Sequence, residues 1–195
     1  MPLTPPTPWT PLTDLQFHAL LPYLLPRAPQ GRRVSDLRAR MDTIFHLTHT
    51  RAAPWRDLPP EHGCPDTVSR FFRRLTHAGL WHRLLEALAD AAPDHPLRTL
   101  EYAICRATRR AARLGGFRLL VLIRRLGFRT ALDAPPWLLP DPVLSETLRR
   151  TPVPAAESAT RLPRPARDAL RALAALHRAA AGRARIRRSV RLAWP

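Results

Sequence analysis

The chain has 195 residues, 32 arginines against 15 acidic residues, a formal net charge of +17 and a pI near 11.8. That length holds one domain, or a domain plus an appendage, and the charge points to polyanions such as nucleic acid. Two cysteines, Cys64 and Cys105, without CxxC spacing exclude a disulfide framework, and the longest apolar run, "LLVLI" at 119–123, is far too short to span a bilayer. The first residues lack the basic and apolar regions of a signal peptide, so the expected location is a reducing cytoplasm.

The charge needs a discount before it is used. There is no Lys and no Asn, residue types with AT-rich codons, while Arg, Ala, Pro and Leu abound. Part of the arginine load therefore reflects a GC-rich genome, and its placement is better evidence than its total. Residues 1–97 carry 11 Arg against 9 carboxylates, residues 98–129 carry 9 against 1, and residues 151–195 carry 10 against 2. The excess lies behind a balanced N-terminal half.

In chain order, residues 1–11 hold five prolines and predict an extended, poorly ordered lead-in. Thr13 and Gln16 form a capping box, with Leu12 and Phe17 at the positions of a hydrophobic staple. Leu20, Leu21 and Leu24 continue that first helix to a stop at Pro26. Residues 27–33 are a basic loop. Ser35 caps a second helix bearing Leu37, Met41, Ile44, Phe45 and Thr48 at helical spacing. Residues 51–65, with four prolines and one glycine, are a loop. Asp66 is a good N-cap for a third helix, 67–77, whose apolar face is Val68, Phe71, Phe72 and Leu75. Arg70, Arg73, Arg74 and His77 repeat the same spacing on its other face. Gly79 closes it, and Leu80, Trp81, Leu84, Leu85 and Leu88 stripe a fourth helix that ends at Pro93.

Residues 96–114 read as a further helix stopped by Gly115 and Gly116, and 117–128 is ambiguous between strand and buried helix. Proline-rich linkers cover 135–142 and, loosely, 151–165. An amphipathic helix over 166–181 runs into a basic tail. The expected organisation is a lead-in over 1–11, a helical domain over 12–92, an arginine-rich helical extension over 93–150, and a linker, helix and tail over 151–195. The fold class is mainly α: a four-helix, helix-turn-helix-like domain followed by arginine-rich helices.

A helix with an apolar face and a basic opposite face suits the major groove, where Arg bonds guanine O6 and N7 or phosphates. The bland alternative is a surface helix with solvated arginines. Arg70, Arg73, Arg74 and His77 are the candidate DNA contacts, with Arg32, Arg33 and Arg56 as outlying phosphate contacts. In "PWRDLP" the prolines fix φ on both sides, Trp55 and Leu58 bury, and Asp57 accepts backbone N–H bonds in the turn. Trp55, Asp57, Leu58, Phe71, Phe72 and Trp81 are the candidate structural anchors. No cofactor is implied. His46, His49, His62 and Cys64 lack a recognised zinc spacing, none of the five serines stands in a GxSxG elbow, and no Gly-rich phosphate loop occurs.

Four blocks, "LTDLQFHALLPYLLP", "GRRVSDLRARMDTIFHL", "PWRDLPPEHG" and "TVSRFFRRLTHAGLWHRLLEAL", follow one another in a distinctive order. In that order the chain, over roughly residues 12–90, resembles the N-terminal helical domain of bacterial insertion-sequence transposases of the DDE class. That family commonly has Trp where Phe17 and Leu75 stand and Gly-Cys where Ala52 and Ala53 stand. The resemblance implies a helix-turn-helix-type domain that binds the element's double-stranded terminal repeats through helix 67–77, in a bacterial, nucleoid-associated setting. It also implies that an RNase H-like domain should follow, with three carboxylates holding two metal ions. Residues 98–195 offer only Glu101, Asp133, Asp141, Glu146, Glu157 and Asp168. The expectation is therefore a truncated, non-catalytic DNA-binding protein, with self-association left open. The alternatives are the first-frame half of a split transposase completed by frameshifting, a helical interaction module that no longer binds DNA, and an out-of-frame tail after about residue 95 that should pack poorly.

Overall fold

A computed structural model describes residues 3–24, 36–49, 53–153 and 163–195, and among them the regular structure is helical with no strand. Met1–Asp133 and Ala134–Trp194 form two compact units.

The first unit holds α1 (Asp14–Leu24), α2 (Leu37–His49), α3 (Pro65–His77), α4 (Leu80–Asp90), the short α5 (Pro96–Thr99) and α6 (Glu101–Leu126). The capping box forms as read: Thr13 N–H donates to Gln16 Oε1 at 3.0 Å and Gln16 N–H to Thr13 Oγ1 at 3.3 Å. Asp36 caps α2, receiving the Ala39 N–H at 2.8 Å, while Ser35 and Pro26 lie outside the described residues. At the start of α3 the reading needs correction. Pro65 occupies the first helical position, where its missing N–H costs nothing, so the cap position falls to Cys64 and Asp66 stands in the first turn. Gly79 then ends α3 in the left-handed region (φ 74°), as a C′ glycine does.

The long α6 packs against α2, α3 and α4. Its Ile104, Cys105, Ala107, Thr108 and Ala111 have no exposed surface, and the small side chains among them let the neighbouring helices approach closely. Gly115 and Gly116 do not stop it. Gly116 breaks the helix with φ 61° and ψ −154°, and the chain then resumes helix to Leu126, ending at Gly127. The ambiguous stretch 117–128 is thus helical up to Leu126, burying Leu119, Leu122 and Ile123. The proline-rich lead-in is extended but tied down. Thr4 N–H donates to Thr130 Oγ1 at 2.9 Å, its hydroxyl to Glu101 at 2.8 Å, and Leu12 N–H to Asp42 at 2.7 Å. Proline composition dictates the extension, and these three specific partners supply the order it did not predict.

The second unit holds α7 (Pro142–Arg150), α8 (Arg164–Ala181) and α9 (Arg188–Ala193). The expected linker 135–142 contains a 3-10 turn at Pro136–Leu138, and Asp141 then caps α7, accepting the Val143 and Leu144 N–H groups. Gly182, at φ 69°, lets the end of α8 pass so close to Leu139 and Pro140 that a Cβ there would lie 2.6 Å from their backbone.

Candidate nucleic-acid interface

The pose of α3 is set by its apolar face. Phe72 lies between two indoles, with ring centroids 5.2 Å from Trp55 and 5.3 Å from Trp81. Val68, Phe71 and Leu75 are buried beside it. Trp81 is fully buried, and its Nε1–H finds the partner such a burial requires in Thr76 Oγ1 at 2.8 Å. Thr76 in turn donates to the Phe72 carbonyl at 2.9 Å, which ties α3 to α4 at their junction.

The corner before α3 is two 3-10 turns, Trp55–Asp57 and Pro60–His62, closed by Leu58 N–H to the Trp55 carbonyl and Gly63 N–H to the Pro60 carbonyl. Leu58 is buried. Asp57 pairs at 3.7 Å with Arg56, whose side chain is 87% exposed. A residue outside the four sequence blocks locks this corner: the Arg110 guanidinium lies 4.1 Å from the Trp55 ring centre and donates to the Ala53 carbonyl at 2.6 Å.

With that face fixed, Arg70, Arg73, Arg74 and His77 all stand exposed together on the opposite face of α3. Arg74 rests 5.2 Å over the Phe71 ring, a cation–π contact that holds its guanidinium near the surface. Among the described residues none of the three arginines has a carboxylate within ion-pair distance. Arg32 and Arg33 lie outside the described residues, and Arg56 stands apart from the α3 face in the 3-10 turn.

Other arginines of the unit are spent internally. Arg38 pairs with Asp14 and bonds the Leu12 carbonyl. Arg83 donates to the carbonyls of Ala78 and Tyr23, Arg98 to that of Ala91, and Arg109 to that of Leu132. Burial pushes the guanidinium groups of Arg109 and Arg110 down to about 10. The sequence reading missed these roles. The available signal was the placement of Arg106, Arg109 and Arg110 among Ile104, Ala107 and Ala111, where a purely solvated face would not reach.

His46 stacks on His62 at 4.9 Å with Trp9 edge-on at 4.6 Å, and burial holds its pKa below the usual value. His49 packs edge-on to Tyr102 instead. Cys64 is exposed, and the N–H groups of Thr67 and Asp66 lower its thiol pKa. Among the described residues no three His, Cys, Asp or Glu side chains gather as a metal site would require. No helix among them is long and apolar enough to cross a membrane.

Residues 12–85 match the family described as Putative transposase of IS4/5 family (DUF4096). Neither the curated proteins nor the solved structures gave a match. The matched segment holds α1, α2, the Trp55 corner, α3 and the first half of α4. It stops at Leu85, inside α4, although α6 completes the packing around it.

Proposed function

We propose that the Met1–Asp133 unit is a duplex-DNA reader derived from an insertion-element transposase, directed at the terminal repeats of its element. The observation that carries this reading is the α3 face: Arg70, Arg73, Arg74 and His77 are exposed side by side, while neighbouring arginines are taken up by carbonyls and carboxylates. A helix presented this way offers forked donors to guanine edges and cations to phosphates, and each neutralised phosphate releases counterions. The unit contributes recognition rather than strand cleavage. From Tyr102 to Leu132 there is no carboxylate at all, and Glu101 is engaged by Arg98 and Thr4. The burial of Leu97, Leu100, Ile104, Ala111, Leu119 and Ile123 supports a functional extension over an out-of-frame tail, since random apolar placement would not fill one core.

The test is fluorescence anisotropy on duplexes carrying the repeats that flank the gene, against scrambled duplexes, over a range of salt. Arg73→Ala and Arg74→Ala should each weaken binding by roughly tenfold, and each lost phosphate contact should lower the salt slope by about one. Unchanged affinity in the double variant would remove α3 from the interface.

A further inference from the structure

The break in α6 leaves an unusual surface. Gly116 holds a backbone conformation (φ 61°, ψ −154°) that is open essentially to glycine alone. On either side of it Leu114 and Phe117 stand 42% and 57% exposed, and beyond them Arg113 and Arg118 are exposed too. Two large apolar side chains beside a helix break, framed by two cations, call for a partner with apolar surfaces between anionic edges. The surrounding chain sharpens the choice, because Tyr102 to Leu132 holds eight Arg and no Asp or Glu. Arg110 lies over Trp55 in the corner before α3, and Leu114 is one helical turn, about 6 Å, further along α6.

We propose that the Arg113–Arg118 turn is a second DNA contact. Phe117 and Leu114 press between base steps from the minor groove, and Arg113 and Arg118 hold the phosphates on either side. Apolar wedges of this kind unstack a step and bend the duplex, which wraps more DNA onto the protein. The proposal rests on the reading that this unit binds duplex DNA, which it extends from the α3 face to a second element.

The experiment uses the full chain and a duplex labelled with 2-aminopurine at successive steps, with donor and acceptor dyes at its ends. The wild-type protein should raise 2-aminopurine fluorescence at one step and shorten the end-to-end distance. Phe117→Ala should weaken binding by about tenfold, the scale of a lost aromatic–base contact, and remove both signals, while Phe117→Leu keeps part of each. Because Phe117 is exposed, both variants should keep the wild-type circular dichroism and melting temperature. If Phe117→Ala binds and bends DNA like the wild type while Arg73→Ala fails to bind, the wedge is overturned and the α3 reading stands. If the wild-type chain binds no duplex, both fall. Loss of binding to acidic lipid vesicles in Phe117→Ala, with DNA binding intact, would overturn the wedge in favour of a membrane contact.

Discussion

The Arg110 guanidinium covers the Trp55 ring at 4.1 Å and bonds the Ala53 carbonyl at 2.6 Å, so a helix outside the family-matched segment clamps the corner before α3. Arg110→Ala removes a partly desolvated cation–π contact and a hydrogen bond, together about 1.5–3 kcal/mol. Arg110→Lys should recover only part of that, because an ammonium cannot stack flat on an indole. Urea unfolding followed by tryptophan fluorescence reads the difference. Equal midpoints for wild type and Arg110→Ala would mean that the clamp holds nothing.

The same packing decides where the chain can be cut. A fragment of residues 1–133 should unfold in one cooperative transition. A fragment of residues 1–92 lacks α5 and α6 and leaves the α2, α3 and α4 surfaces that meet α6 open to water. It should show a broad, weakly cooperative melt, since each large apolar side chain left exposed forfeits about 1.5–3 kcal/mol. Circular dichroism melts of the two fragments compare them directly, and a sharp transition in the shorter one would make α6 dispensable.

The His46 imidazole supplies a pH dependence. It is half-buried against Trp9 and His62, its Nδ1 has no hydrogen-bond partner among the described residues, and burial followed by the neighbouring His62 lowers its pKa, with Glu61 opposing. His49 is lowered as well, by burial first. The unfolded chain protonates these rings near the ordinary 6.5, before the native state does. The native state therefore has their full contribution above that pH and loses it as pH falls through the lower folded values. The urea midpoint should drop between pH 7.5 and pH 5, and His46→Gln should flatten that drop. Parallel pH profiles for the two proteins would dismiss the effect.

Much of the fold was legible because it is written in local chemistry. Thr13 and Gln16 cap a helix whatever surrounds them, and Val68, Phe71, Phe72 and Leu75 can share a face only in a helix. One neighbour effect and several distant contacts decide the rest. Cys64 displaced Asp66 from the cap position because Pro65 takes the first helical position without penalty. Gly116 broke α6 without ending it, since the core waiting for Leu119, Leu122 and Ile123 makes resumption worthwhile. The α3 basic face could be read from spacing, whereas Arg110 on Trp55 is a contact across 55 positions of sequence that no window reveals.

Arg83, Arg98, Arg109 and Arg110 bond backbone carbonyls, which are neutral. Arg98 also meets a carboxylate, Glu101. A carbonyl anchors the positive charge of Arg83 and Arg110 without cancelling it. If the unit binds duplex DNA as proposed, side chains placed for architecture also draw the polyanion in, over about 10 Å at 0.1 M salt. Stripping the α3 face of its arginines should then abolish discrimination between duplexes while leaving loose capture at low ionic strength, and salt becomes the dial that separates attraction from reading.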